Sequence, residues 1–296
     1  MSTLALPLLK YRLSLYSRLA RFDKPIGTLL LLWPTLWALW LAADGFPEIS
    51  RLIVFVLGTF LMRSAGCVIN DIADRKFDAK VKRTRDRVLT AGKVYLWEAI
   101  AVAVVLLAGA ALLLLFLNDL AIQYAFTALF VAVVYPYFKR FFAIPQAMLG
   151  IAFSFGIPTA FADTQGQVPA VAWMLFIGNF FWTMAYDTIY AMVDRDDDLK
   201  LGIRSSAISF GQFDVIAVAV SYVLFLACML VVGQSLPGPG SSWMYWLGLF
   251  VTAGFCVYLT WRIRTRDRDD CFAAFRANNY VGMPMWIALV VQLGWN

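Results

Sequence analysis

Histidine is absent from all 296 residues. That excludes histidine metal ligands, Ser-His-Asp triads and histidine general bases. Charge is scarce as well. Asp, Glu, Lys and Arg make up only 15% of the chain, where a soluble domain carries about 25%. Cysteine is limited to Cys67, Cys228, Cys256 and Cys271, with no C-x-x-C spacing. Three of the four lie in apolar runs, so buried free thiols are expected rather than a disulfide framework or a zinc site. Apolar residues take the place of what is missing. The chain is 61% hydrophobic with mean hydropathy +0.72, against roughly 45–50% apolar in soluble domains. The composition is that of an all-α, polytopic membrane protein.

Residues 1–24 mix Lys10, Arg12, Arg18, Arg21 and Lys24 with leucines and tyrosines. This reads as an amphipathic interfacial segment with no small-residue cleavage site. The rest, 25–296, reads as a single transmembrane domain. Apolar stretches of membrane-spanning length fall near 25–43, 51–69, 95–117, 120–138, 143–162, 169–187, 214–234, 243–261 and 280–295, predicting nine helices. The N-terminus and the loops after helices 2, 4, 6 and 8 hold 23 of the 25 Lys and Arg. Short basic loops stay cytoplasmic, so the N-terminus is expected inside and the C-terminus periplasmic, in a bacterial-type inner membrane. The net charge of +6 therefore describes topology and attraction to anionic lipid or substrate. Spread over five membrane-bounded segments, it is a poor nucleic-acid footprint.

Two acidic stretches organise the chain. Asp-Arg-x-x-Asp-x-Lys occurs at Asp74 to Lys80 and again at Asp194 to Lys200. On a helix, Asp71, Asp74 and Asp78 share one face, as do Asp187, Asp194 and Asp198, while Asp196 points away. Carboxylates grouped this way repel unless a cation sits between them. Mg²⁺ takes oxygen ligands and commonly binds one or two carboxylates together with substrate phosphates. The pattern predicts two facing Asp clusters that hold a diphosphate through Mg²⁺; a pair of solvated acidic loops is the structural alternative. A charge at the bilayer centre costs roughly 2.5–3.5 kcal/mol, which puts the clusters at the cytoplasmic mouth, in Asp-rich loops where helices 2 and 6 end.

Asn70-Asp71-x-x-Asp74-x-x-x-Asp78, paired with Asp194-x-x-x-Asp198, resembles the UbiA-type family of intramembrane aromatic prenyltransferases. The resemblance extends from Arg21-Phe22-Asp23-Lys24-Pro25-Ile26-Gly27 through the second cluster. It includes Arg63-Ser64-Ala65-Gly66-Cys67, Lys139-Arg140 and Gly156-Ile157-Pro158. The stretch Tyr186 to Asp198 looks like the branch that acts on 4-hydroxybenzoate in ubiquinone biosynthesis. The chain departs from the pattern in one place: the family usually has Pro after the last Arg of the loop following the first cluster, and here Arg87 precedes Val88. The resemblance implies nine helices around a central cavity open laterally to lipid, with Mg²⁺ and a polyprenyl diphosphate inside. The partners implied are polyprenyl diphosphate, 4-hydroxybenzoate and the bilayer, with no nucleic acid and no obligatory protein partner.

On that basis Asn70, Asp74, Asp78, Asp194 and Asp198 are expected metal ligands or their direct supports. Asp71 is a ligand or orients a cation. Lys80, Lys82, Arg83, Lys200 and Arg204 suit the diphosphate. Arg63, a cation within a membrane helix, binds diphosphate or the benzoate carboxylate, or pairs structurally with an Asp of helix 6. Lys139 and Arg140 stand at the cavity mouth, and Arg140 is expected to govern benzoate affinity. Asp187 is placed to accept the phenolic proton, or to support Arg63 or the metal. Related acceptors within the family would share the metal site. A divalent-cation transporter, the competing class, needs ionisable residues near mid-membrane in broken helices, and these aspartates gather at one face instead.

Overall fold

The computed structural model describes residues 5–138, 142–236 and 243–294. Among these residues every regular element is helical. The interfacial helix is α1 (Ala5–Leu19), followed by α2 (Ile26–Ala43), α3 (Ile49–Asp78), α4 (Leu96–Leu113) and α5 (Asp119–Phe138). Next come α6 (Gln146–Ser154), α7 (Gly156–Gln165), α8 (Ala170–Leu201) and the short α9 (Ser206–Phe210). The last four are α10 (Asp214–Gln234), α11 (Trp243–Arg262), α12 (Arg268–Ala277) and α13 (Asn279–Leu293). Among the described residues six stretches are long and apolar enough to cross a membrane: 26–43, 49–78, 96–116, 146–165, 206–234 and 243–265.

Three local features depart from the sequence expectation. The predicted helix at 143–162 is two helices, α6 and α7, meeting at Phe155. Pro158 has no N–H to donate back to Ser154 and its ring crowds that carbonyl, so the ladder breaks there. The loop after α11 contains α12, which is capped by Asp267 accepting from the backbone N–H groups of Asp269 and Asp270. Most important for the site, α3 runs 30 residues and α8 runs 32. At 1.5 Å per residue these span about 45 and 48 Å against a hydrocarbon core of about 30 Å. The Asp-rich segments are therefore the projecting last turns of two helices rather than loops. Lys and Arg in those turns, Arg75 and Lys76 on α3 and Lys200 on α8, complement the helix dipole. Gly202, at φ 67°, ends α8 in the left-handed conformation.

Packing divides into two apolar clusters. The larger joins α2, α7, α8, α10, α11 and α13 around Trp37, Trp182 and Phe225, whose rings lie 5.3–6.2 Å apart. The smaller joins α1 (Leu15, Leu19), α3 (Ala65, Val68), α4 (Ala99, Ala103) and the 79–95 loop (Val88, Leu89, Val94). Val88, standing where the family pattern has Pro, is buried in this second cluster. Side-chain burial fixes the loop where a Pro would have fixed φ. Cys67, Cys256 and Cys271 are buried and Cys228 half-buried, all as free thiols.

Candidate active site

The last turns of α3 and α8 are linked through Arg83 of the 79–95 loop, which bonds Asp194 of α8 and lies within electrostatic reach of Asp78 of α3. Asp71, Asp74 and Asp78 are all buried, as is Asp194; Asp198 and Asn70 are half-buried. Asp196 faces solvent, as the helical spacing predicts. Carboxylates this close together and this buried need cations, and arginines supply them. Arg87 Nη1 donates to Asp71 Oδ1 at 2.9 Å and to Asp78 Oδ2 at 2.7 Å. Arg21 Nη2 donates to both oxygens of Asp71, at 2.9 and 2.8 Å. Asp71 thus accepts from two arginines at once.

The second cluster is tied to the first through the loop. Arg83 Nε and Nη2 donate to the Asp194 carboxylate at 3.0 and 2.5 Å. Its guanidinium lies over the Tyr190 ring, 4.6 Å from the centroid, and Tyr190 stacks on Phe275 of α12 at 4.3 Å. Arg268, at the start of α12, reaches Asp194 at 3.4 Å and Asp197 at 3.5 Å. Burial pushes the Arg83 pKa down, but Tyr190, Asp194 and Asp78 more than offset it and raise it above the ordinary value. Arg83 therefore carries its charge at any working pH. Lys80, Lys82, Lys200 and Arg204 are exposed around this mouth. Lys139 and Arg140 lie outside the described residues.

Below the clusters, within the membrane-embedded length of α3, sits Arg63. Its Nη1 reaches Cys67 Sγ, and its Nε is buried without a hydrogen-bond partner. Among the described residues it makes no ion pair within 4 Å, and the nearby acidic side chain that acts on it is Asp187 of α8. Asp187 lies within electrostatic reach of both Arg63 and Arg83 without an ion pair to either. Gly27 makes room for the Arg63 guanidinium, which a Cβ at that position would strike.

The donor set suits Mg²⁺, since every side chain on offer is an oxygen donor and none is His or Cys. Among the described residues no three acidic side chains, with or without Cys, converge into a metal cage. Mg²⁺ seldom uses such cages, taking one or two carboxylates and leaving the other positions to water and phosphate. The residues present fit an ion that arrives with its substrate. Arg21, Arg87 and Arg268 escaped the sequence reading. Arg21 opens a family-like stretch and Arg87 ends a basic run, so both carried a signal. Arg268 carried none, because only tertiary packing brings α12 to Asp194.

Comparison with known proteins follows the same lines. The pattern of the UbiA prenyltransferase family matches residues 31–289. A 4-hydroxybenzoate octaprenyltransferase of Cupriavidus necator is 61% identical over 280 residues, covering 95% of this chain and 97% of that protein. One from Burkholderia multivorans is 57% identical over 281 residues, with the same coverage. Among solved structures, a UbiA homologue from Aeropyrum pernix K1 superposes with TM-score 0.78 at 21% identity, over 90% of this chain and 98% of that one. A UbiA homologue from Archaeoglobus fulgidus bound to GPP and Mg²⁺ gives 0.67 at 15% identity, over 94% and 99%. With the family pattern covering most of its length and relatives near 60% identity aligned almost end to end, the chain belongs to the UbiA prenyltransferase family.

Proposed function

We propose that the protein transfers a polyprenyl group from polyprenyl diphosphate to the carbon ortho to the hydroxyl of 4-hydroxybenzoate, as a membrane step of ubiquinone biosynthesis. The names of the relatives favour an eight-isoprene donor. The observation that carries this reading is the burial of aspartates at the ends of both α3 and α8, with Arg83 of the loop after α3 bonded to Asp194, in a chain so similar to enzymes of that activity.

The chain's own residues take the following parts. Asn70, Asp74, Asp78, Asp194 and Asp198 hold Mg²⁺ or support its ligands. Bound there, Mg²⁺ supplies charge to the departing diphosphate. Arg83, Lys80, Lys82, Lys200 and Arg204 bind the same group, and binding that strengthens as charge develops is what lowers the barrier. Arg63 meets the benzoate carboxylate. Its buried, unpartnered Nε supports this role, because a buried donor without an acceptor is costly until one arrives. Lys139 and Arg140 assist at the mouth. Asp187, with Arg63 nearby, accepts the phenolic proton. The apolar walls exclude water, which would otherwise capture the allylic cation.

The proposed setting is a bacterial-type inner membrane crossed nine times, with both clusters cytoplasmic and the C-terminus periplasmic. The basic N-terminus and loops support that orientation. A reporter fused after Asn296 is expected to read periplasmic, and a cytoplasmic signal removes one crossing. The activity is tested by mass spectrometry of membranes supplied with 4-hydroxybenzoate, Mg²⁺ and polyprenyl diphosphates of graded length. Prenylated 4-hydroxybenzoate is expected. Its absence, with another aromatic acid prenylated instead, moves the chain to another acceptor.

A further inference from the structure

Arg21 is the first link in a chain of alternating charge. Its Nη2 grips both Asp71 oxygens at 2.8 and 2.9 Å, Asp71 Oδ1 accepts from Arg87 at 2.9 Å, and the same Arg87 nitrogen reaches Asp78 at 2.7 Å. The Asp71 and Asp78 side chains are only 1% and 9% exposed. Arg21 lies just past the end of α1, outside every apolar span. Its backbone is left-handed, with φ 62°, a conformation disfavoured for a residue with a Cβ. That turn is held on both sides: Arg21 Nη1 donates to the Arg18 carbonyl at 3.1 Å, and the Phe22 ring packs at a tilt against Phe60 of α3, centroids 4.8 Å apart.

The helix behind this turn is buried at its C-terminal half and exposed toward its start. Leu15 and Leu19 are buried against α3, α4 and the 79–95 loop. Arg12 and Tyr16 both bond Glu98 of α4. Leu8, Leu9 and Leu13, nearer the start of the helix, are exposed, as in a helix lying in the membrane surface. The helix is thus fixed to the protein near its middle and joined to the first Asp cluster at its end.

We propose that Arg21 is a positioning residue for prenyl transfer: through Asp71 and Arg87 it sets Asp78, so that the interfacial helix α1 determines the geometry of the first Asp cluster. This rests on the reading of that cluster as the diphosphate and Mg²⁺ site. Without Arg21, Asp71 keeps one cation instead of two. Arg87 is then drawn to a less neutralised carboxylate and away from Asp78.

The test uses the full-length protein in liposomes of neutral and anionic phospholipid, with 4-hydroxybenzoate and polyprenyl diphosphate both varied. Thermal unfolding is followed with and without Mg²⁺ and a non-cleavable polyprenyl thiolodiphosphate. Arg21→Gln is expected to lower kcat about tenfold or more, with the KM for 4-hydroxybenzoate unchanged. It is also expected to shrink the thermal shift given by Mg²⁺ and the analogue. Arg21→Lys, which keeps the charge but not the fork, restores part of both. The double variant Arg21→Gln/Asp71→Asn is expected to be no slower than Asp71→Asn alone, because both act through one link. Arg18→Gln removes the same charge from an exposed position of the same helix and is expected to stay within about twofold of wild type.

Wild-type kcat in Arg21→Gln overturns the proposal. So does a loss in the double variant equal to the product of the single losses. An equal fall in Arg18→Gln replaces positioning with plain attraction to anionic lipid. If Arg21→Gln does not fold, Arg21→Lys decides: full kcat at an unchanged thermal midpoint overturns the proposal, and a severalfold loss supports it. The identity of the wild-type product tests the functional reading separately, since the Arg21 result is a ratio to wild type.

Discussion

The two copies of Asp-Arg-x-x-Asp-x-Lys share a spacing and little else. In the first copy, Arg75 is exposed and has no ion pair among the described residues, and the cations on its carboxylates come from elsewhere, from Arg21 and Arg87. In the second copy, the equivalent Arg195 turns back to Asp214 at 3.2 Å. Asp214 is fully buried and also bound by Arg266 at 2.8 Å. The first cluster is thus held by an interfacial helix and a loop, the second by the bundle. One pattern places carboxylates in the same way twice, while the surroundings decide whether its arginine faces water or fastens helices together. Arg83, in the loop that packs into the smaller apolar body, links the copies by gripping a carboxylate of the larger.

The largest effect is expected where the two copies do the same job. Asp74→Asn and Asp194→Asn should each lower prenyl transfer at least about 100-fold while the protein still inserts, because a lost ligand charge leaves the departing diphosphate uncompensated. Near-normal turnover in either variant, with normal Mg²⁺ dependence, would break the two-cluster site. Next is the link between the copies. Arg83→Ala removes a charge-assisted fork from a partly buried carboxylate and a cation from the Tyr190 face. A loss of about 2 kcal/mol or more is expected, roughly thirtyfold in kcat/KM, concentrated in the diphosphate substrate. A loss falling on 4-hydroxybenzoate alone would move Arg83 to the other subsite.

The contrast between the copies sharpens with their arginines. Arg195→Gln leaves buried Asp214 with one guanidinium and should destabilise the protein by about 1–3 kcal/mol, visible as a lower thermal midpoint. Arg75→Gln should leave the midpoint where it is. Equal shifts in the two variants would mean the copies are alike after all. The smallest effect concerns the loop. Val88→Pro should change stability by less than about 1 kcal/mol in either direction, because packing that Pro loses is offset by a stiffer unfolded chain. A collapse in activity would show that Val88 packing sets the position of Arg83 and Arg87.

The far end of the bundle shows how much a single charge already says. Arg51 is the one cation predicted on the side opposite the clusters, and it pairs with buried Asp163 at 3.2 Å. Asp163 also accepts from the backbone N–H of Asn118 at 3.1 Å. A lone arginine in the first turn of α3 could be read as a brace only once Asp163 of α7 was seen to pair with it.

The sequence alone determined the helical class, the approximate places of the apolar helices, the two acidic faces and the family. Each of these is local: a run of apolar residues long enough to cross a bilayer, or carboxylates whose spacing follows the helical period. Lys139 and Arg140 remain sequence expectations. Tertiary structure decided which cation meets which carboxylate. Arg21 lies 50 residues from Asp71, Arg83 lies 111 from Asp194, and Arg268 lies 74 from the same carboxylate. It also decided that the Asp segments are helix ends rather than loops, since propensity weakens where like charges crowd and only their arginine partners make the helical form affordable. Ion pairing depends on distance in space, and the packing of two apolar clusters, not the order of residues, set those distances.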